Sequence, residues 1–335
     1  MATIIITGGT GTVGKRLTDM LLKKGHSVVI VGRGGKPKQP LKAGANNGNA
    51  NNGNLSYAKW NIDAQTIDES AIQQADYIIH LAGAGVADKR WSNARKKEIA
   101  DSRINSCGLI VKALSSIPNK VKGVISASAI GWYGPDKHDG GDNVDSGEIT
   151  AGSSKIGFTE EANPYPDFLG NTCKAWEDSI APVKAFGKRL VILRTGIVLS
   201  NEGGALVEFK KPLLFKTAAI LGSGNQMISW IHVDDLCNQY IYAIENEQMN
   251  GVYNAVAPTP VSNKTLTIEL AKKICGSFYI PFYVPAFVLK IVLGEMSIEV
   301  LKSATVSSNK IEAAGFQFLY PSINDALTQL TKTTK

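Results

Sequence analysis

The sequence is poor in cysteine and histidine, with four of each in 335 residues. Cys107, Cys173, Cys237 and Cys275 stand far apart, and no C-x-x-C pair occurs. That spacing excludes zinc knuckles and thioredoxin-like centres, and scattered free thiols fit a reducing compartment. No His/Asp/Glu cluster has ligand spacing either, so no metal is expected. The N-terminal run Ile4-Ile5-Ile6 is too short for a secretory signal and has no basic flank, so a cytoplasmic location is expected. The longest apolar stretch, Phe278–Gly294, is broken by Pro281, Pro285 and Lys290 and is short for a membrane span. It reads as a buried loop and helix, with membrane contact as the alternative, so no membrane partner is expected. Lys and Arg exceed Asp and Glu by 36 to 29, but the basic residues are scattered. No zinc-finger or RNP pattern accompanies them, so no nucleic-acid partner is expected.

Ordinary hydrophobic (44%) and charged (19%) fractions imply a globular chain of one large or two unequal domains. Short β-branched or apolar runs at Thr3–Thr7, Ser27–Val31, Leu55–Trp60, Tyr77–Leu81, Val121–Ser126 and Leu190–Leu193 read as strands. Helical periodicity lies between several of them, most plainly over Ser92–Ile117. Residues 44–54, rich in Asn and Gly, read as a loop insertion. Apolar strands alternating with amphipathic helices predict an α/β fold with a parallel sheet covered on both faces. From about residue 195 the alternation loosens. A larger domain over 1–195 and a smaller lobe over 196–335, with segments returning to the sheet, are expected.

The first strand runs into Thr7-Gly8-Gly9-Thr10-Gly11-Thr12-Val13-Gly14, which opens a helix. Gly8, Gly11 and Gly14 allow a tight turn, close approach to a pyrophosphate and close helix packing. The helix N-terminus, with Thr12 and Val13, offers N–H groups to phosphates. No Gly-Lys-Ser/Thr ends the loop, which excludes a P-loop. A strand–helix–strand unit is the context in which these glycines bind a dinucleotide. The second strand ends in Gly32-Arg33, and no acid occurs between Asp19 and Asp63. NAD sites commonly place a carboxylate here, whereas a guanidinium suits a 2′-phosphate, so NADP(H) is the expected cofactor. Asp63 has two open roles, reaching the adenine amine or capping the following segment.

With these motifs the chain resembles the extended short-chain dehydrogenase/reductases, and within them the atypical branch called the epimerase family. His80-Leu81-Ala82-Gly83, Arg90-Trp91, Ser102-Arg103, Ser126–Gly134, Trp176-Glu177, Leu193–Leu199, Gly222–Leu236 and Gly294-Glu295-Met296 carry the resemblance over nearly the whole length. It implies a Rossmann doubly wound sheet with a smaller C-terminal substrate lobe. It implies cofactor contacts from Gly32, Arg33, Leu81, Ala82, Gly83, Glu98, Arg103 and Leu199.

Two family features are absent. The family's Tyr-x-x-x-Lys pair precedes a Glu by four residues. Counting back from Glu177 puts Cys173 at the lysine and Leu169 at the tyrosine. Lys174 is one residue off, about 100° round a helix. Tyr133 and Lys137 have the spacing, but Gly134-Pro135 breaks the helix that would align them. The arginine that holds a sugar-nucleotide phosphate is replaced by Ile228. Ser128, at the family's Ser/Thr position on a strand end, and Tyr133, as a substitute acid, are the catalytic candidates. A strand-end cap and a packed aromatic are their alternatives. Arg90, Trp91, Gln226, Trp230 and His232 are candidates for the substrate cleft, with core packing open for the tryptophans and a buried imidazole for His232. Three functions follow: an NADP(H)-dependent oxidoreductase or isomerase on an unknown small substrate, a non-catalytic NADP(H)-binding sensor or scaffold, and a nucleotide-sugar epimerase. A homodimer through the long helix is also open.

Overall fold

The computed structural model describes residues 1–34, 54–136 and 157–332. All of the Asn/Gly-rich segment except Asn54, and Lys137, lie outside the described residues. The elements of the first half are β1 (Thr3–Thr7), α1 (Thr12–Lys23), β2 (Ser27–Gly32), β3 (Leu55–Asn61), β4 (Thr66–Ile67), α2 (Glu69–Gln74), β5 (Tyr77–His80), α3 (Asn93–Ser116), β6 (Gly123–Ala129), α4 (Phe168–Ile180) and β7 (Arg189–Thr195). Then come β8 (Ile197–Leu199), α5 (Ala205–Leu213), β9 (Thr217–Leu221), β10 (Met227–Ile228), β11 (Trp230–His232), α6 (Val233–Glu245) and β12 (Gly251–Ala255). The chain ends with β13 (Val261–Ser262), α7 (Asn263–Cys275), β14 (Ile280–Val284), α8 (Ala286–Leu293), α9 (Ser297–Leu301), α10 (Asn309–Ala313) and α11 (Ile323–Thr331).

The main sheet runs β12-β7-β6-β5-β1-β2-β3-β4. Every pairing in it is parallel except β3 with β4. The order reverses between β1 and β5, the switch point at which open α/β sheets bind ligands. Successive strand residues point to opposite faces, and both faces are covered. Ile4, Ile6, Val28 and Ile30 join the core under α1 and α6. Ile5, Val29 and Val31 join the core with Ile110, Leu114 and Trp176 of α3 and α4. Each such buried aliphatic side chain contributes about 1.5–3 kcal/mol, which is why these runs read as strands from sequence. This is the Rossmann-like parallel architecture expected. All six expected strands are present. β12 is an addition: it brings Asn254 and Ala255 from the C-terminal half alongside Arg194 and Thr195 of β7.

Helix starts follow local chemistry. Asp68, Ser92, Asp167, Ser262 and Ser322 accept a hydrogen bond from a backbone N–H in the first turn of α2, α3, α4, α7 and α11, and His232 does so for α6. Asp68, not Asp63, caps α2, which removes the capping role considered for Asp63. In the C-terminal half Leu206, Leu213, Trp230, Leu266, Leu270, Leu327 and others form a further core cluster. Parallel β9 and β14 lie beside it.

The stretch Phe278–Gly294 corrects the expectation of burial. It forms β14 and α8, and Phe278, Ile280, Phe282, Phe287, Ile291 and Val292 are all exposed. Only Leu289 of α8 is buried. Apolar composition identified an apolar segment, but among the described residues these side chains remain exposed.

Candidate cofactor and substrate site

The glycine turn joins β1 to α1 at the switch point. Gly8 has φ +72°, and a Cβ there would lie 2.9 Å from the carbonyl carbon of Leu81. A Cβ on Gly14 would lie 2.3 Å from the oxygen of Gly8 and 2.6 Å from the Cα of Gly9. The first turn of α1 therefore rests directly on the loop backbone. Gly11 caps this helix with no side-chain acceptor, and no acid occupies its first turn. An uncapped N-terminus in a backbone cradle fits a pyrophosphate by its N–H groups and dipole. Thr12 and Val13 begin the helix, and Thr12 Oγ1 packs against Gly203 in the loop after β8.

The neighbouring crevice wall, Leu81–Gly85, is held by buried polar contacts. The Thr7 hydroxyl and Nδ1 of His80 are 2.7 Å apart, and Nε2 of His80 lies 3.2 Å from Ser106 Oγ. Burial, with a smaller contribution from Arg103, pushes His80 down to about 3, so its ring is neutral. From α3, Arg103 donates to the Ala84 and Ile99 carbonyls and stacks on Trp176, 4.8 Å from the ring. Ser102 Oγ accepts from Ala84 N–H at 3.0 Å. Leu81 and Ala82 are half-buried and Gly83 is exposed directly above Arg103. Arg103 is thus spent on carbonyls and an aromatic face beneath the loop. Gly32 ends β2, and Arg33, which follows it, is exposed. Glu98 is exposed on α3 and takes a 2.7 Å bond from Arg95. That bond, helped by more distant cations including Arg33, holds its carboxyl below the usual range. Leu199 is fully buried.

At the end of β6 both catalytic candidates enter one buried network. Ser128 Oγ donates to Glu177 Oε1 at 2.7 Å. Arg194 binds the same carboxylate through Nε and Nη2 at 2.8 and 3.0 Å. Tyr133 is fully buried. Its hydroxyl donates to Asn254 Oδ1 at 2.6 Å and accepts from Arg194 Nη1 at 3.1 Å. Burial outweighs the nearby Arg194 and pushes the phenol up to about 12. Arg194 also stacks on Trp132 at 3.6 Å. An acid working near neutral pH needs a lower pKa and contact with the reacting atom. Tyr133 has the packed, hydrogen-bonded geometry that was its alternative reading. The residues at the dyad positions, Leu169 and Cys173, are buried against Gly131. Burial pushes the Cys173 thiol up to about 12.

The cleft candidates do not converge. Trp91 packs edge-on against Phe168 at 5.0 Å and donates to the Val86 carbonyl. Arg90 is exposed and donates to the Ile291 carbonyl at the end of α8. Gln226 donates to the Leu221 and Val300 carbonyls. Trp230 is fully buried and donates to the Thr259 carbonyl. His232 Nδ1 accepts from Asp234 N–H, and its Nε2 lies 2.9 Å from Gln329 Oε1. Desolvation holds the His232 pKa below its ordinary value. Trp91 packs on the start of α4 and Arg90 reaches α8, whereas Trp230 joins the core cluster of the C-terminal half and His232 reaches Gln329 of α11.

Residues that the sequence did not flag complete the site. Arg194 and Asn254 come from adjacent strands, and Glu160 Oε1 accepts from Asn254 N–H at 2.7 Å. Lys302 donates to the Tyr133 carbonyl at 3.1 Å. Asp136 accepts from Ser303 Oγ and from the N–H and hydroxyl of Thr305. The segment after α9 is therefore tied over the exit of β6. Among the described residues no group of three or more His, Cys, Asp or Glu is placed to hold a metal. No described helix is long and apolar enough to cross a membrane.

The fold and the glycine turn define a dinucleotide-binding protein of the epimerase and short-chain dehydrogenase/reductase class. Residues 4–155 match the NAD dependent epimerase/dehydratase family, and residues 284–330 match a domain of unknown function, DUF1731. An epimerase family protein of Staphylococcus aureus strain NCTC 8325 is 32% identical over 335 residues, spanning 99% of this chain and 100% of the relative. One from Staphylococcus haemolyticus is 32% identical over 331 residues, spanning 98% and 99%. The chain belongs to the epimerase family, the branch its motifs resemble. Among solved structures, human epimerase family protein SDR39U1 with NADPH superposes with a TM-score of 0.77 at 24% identity, covering 98% of this chain and 99% of that one. A nucleoside-diphosphate sugar epimerase from Corynebacterium glutamicum gives 0.71 at 28%, covering 98% and 58%. UDP-glucuronic acid 4-epimerase of Bacillus cereus, in complex with UDP-glucuronic acid and NAD, gives 0.74 at 20%, covering 98% of each.

Proposed function

We propose that this chain binds NADP(H) in the glycine turn and acts as an oxidoreductase or isomerase on a small substrate without a Tyr-x-x-x-Lys pair. The carrying observation is the uncapped α1 N-terminus in its backbone cradle, beside a second strand that ends in exposed Arg33 with no carboxylate. The NADPH in the human relative's structure supports the same cofactor. When bound, the cofactor supplies hydride transfer, and the protein supplies orientation and a low-dielectric wall. Gly8, Gly11, Thr12, Val13 and Gly14 would hold the pyrophosphate, Gly32 and Arg33 the adenosine end, and Leu81, Ala82 and Gly83 the opposite wall. Ser128 is the hydroxyl nearest this crevice in the family pattern. Its bond to Glu177 leaves its lone pairs as acceptors, so donating to a substrate requires it to turn away from that carboxylate.

A second reading is favoured by one observation. Ser128 and Tyr133 are both committed to the Arg194–Glu177 network, which suits a protein that binds NADP(H) and signals occupancy to a partner. The nucleotide-sugar reading has less support, because half-buried Ile228 stands where a phosphate-holding arginine would be.

Thermal shift with NADPH and NADH, on wild type and Arg33→Ala, tests the cofactor. A ligand at 100 times its dissociation constant stabilises by about 2.7 kcal/mol. Selective loss of the NADPH shift in Arg33→Ala is expected; no shift with either nucleotide rejects both leading readings. NADPH oxidation over a panel of carbonyl compounds then separates them. Turnover that falls in Ser128→Ala supports the enzyme, and binding without turnover supports the sensor.

A further inference from the structure

We propose that β14, α8 and the α5–β9 turn form a docking face for the surface of an anionic lipid bilayer. Leu214, Phe215, Phe278, Ile280, Phe282, Phe287 and Ile291 are all more than half exposed, and Phe215 reaches 84%. They are not scattered. Parallel pairing of β14 with β9 sets Ile280 opposite Thr217 and Phe282 opposite Ala219, so the turn carrying Leu214 and Phe215 adjoins the start of β14. On α8, Phe287 and Ile291 are one turn apart and face outward, while Leu289 is buried. A contiguous exposed apolar patch marks an interaction surface.

Charge selects the occupant. No Asp or Glu occurs between Glu208 and Asp234, or between Glu269 and Glu295, the two stretches that build the face. Its exposed charges are cationic: Lys216 lies over the Phe278 ring, 6.0 Å from its centre, and Lys290 stands among Phe287, Ile291 and Val292. Glu295, exposed just beyond α8, is paired with Lys96. Apolar and aromatic side chains with lysines among them match the boundary between acyl chains and anionic headgroups. A second copy of the face fits less well, since it would bring lysines against lysines. Strand addition is also hindered. Ile280 N–H and the Val284 carbonyl are used towards β9, so Pro281, which has no N–H, lies on the free edge. The face shares α8 with the matched domain of unknown function.

Co-sedimentation of the full chain with phosphatidylcholine vesicles, with and without phosphatidylglycerol at about one lipid in three, tests this. Wild type is expected to pellet with the mixed vesicles at low salt, and much less with pure phosphatidylcholine or at high salt. Phe287→Ser with Ile291→Ser, and separately Lys216→Gln with Lys290→Gln, should each lower the bound fraction by about tenfold or more. The thermal midpoint should hardly move, because these side chains already contact water. Failure of wild type to pellet with anionic vesicles overturns the proposal. So does a wild-type dimer that Phe287→Ser with Ile291→Ser converts to monomer without any effect on vesicles, which would make the face a self-interface.

Discussion

Arg194 grips Glu177 through two nitrogens, 2.8 and 3.0 Å from its carboxylate oxygens, and both side chains are almost fully buried. The pair joins β7 to α4 behind the loop that leaves β6. Ser128 donates to the same carboxylate, and Tyr133 takes a bond from the same guanidinium. The exit of β6, where the catalytic candidates were expected, is thus built around a buried ion pair.

Breaking that pair should be costly. Glu177→Ala leaves a buried guanidinium whose remaining acceptors are the Tyr133 hydroxyl and the Glu160 carbonyl. Removing one partner of a buried pair typically costs about 3–5 kcal/mol, because the other charge stays desolvated. A fall of that size in urea-unfolding free energy is expected. Glu177→Gln should lose less, since its amide oxygen still accepts. Equal stability of wild type and Glu177→Ala would mean that the network carries no load.

The glycine turn predicts a second sharp loss. In Gly14→Ala the new methyl carbon would lie 2.3 Å from the Gly8 oxygen, so helix and loop must separate. Overpacking of this kind costs about 1–3 kcal/mol and also spoils the anion cradle. Gly11→Ala is the control, because its Cβ would meet only the Gly8 oxygen at 3.4 Å. The NADPH-induced thermal shift should vanish in Gly14→Ala and survive, reduced, in Gly11→Ala. The reverse order would refute this packing.

His80 makes stability depend on pH. Its folded pKa lies at about 3, below the ordinary value of 6.5. Between these values the unfolded chain binds a proton that the folded chain refuses, so stability is complete above pH 6.5 and is lost as pH falls. The loss approaches about 1.4 kcal/mol per pH unit within that window. His26 and His232 are also depressed and add to the total. Chemical denaturation at pH 7, 6 and 5 should therefore show a shallower slope for His80→Asn than for wild type. Parallel slopes would place a charged or exposed imidazole at position 80.

Much of this fold is legible because burial on both sheet faces demands β-branched runs such as Ile4-Ile5-Ile6 and Ser27–Val31, and because a tight turn demands Gly8 and Gly14. What escaped has a different physics. β12 is the short Gly-Val-Tyr-Asn-Ala, and its place depends on the chain returning from the second lobe to β7. The Tyr133–Asn254 and Tyr133–Arg194 bonds join residues 121 and 61 positions apart. No spacing rule encodes such partners. Leu169 and Cys173 were readable as a missing dyad, but not that Glu177 would be taken by Arg194 and Ser128. Phe278–Gly294 shows the converse limit: hydrophobicity says that a segment prefers to leave water, while only the packing says whether this chain covers it.

Restoring the family's dyad should fail for a reason visible in the packing. Cys173→Lys places an ammonium at a nearly fully buried position near the Arg103 guanidinium, whose charge acts on the thiol now there. A carboxylate that acts on this position, Glu177, one turn along α4, already serves Arg194 and Ser128. Burying an unpaired charge costs several kcal/mol, or forces the amine to lose its proton. A neutral amine could not lower the pKa of a phenol at position 169. Leu169→Tyr faces its own conflict, since a larger ring must enter a buried position packed beside Gly131 and Cys173. The Leu169→Tyr/Cys173→Lys variant should therefore have a lower thermal midpoint than wild type and no gain in NADPH-dependent carbonyl reduction. Adding Arg194→Met should recover part of the midpoint by freeing Glu177 for the new lysine. A double variant as stable as wild type, or one with new reductase activity, would show that the dyad is absent by chance and not because the Arg194–Glu177 pair has taken its place.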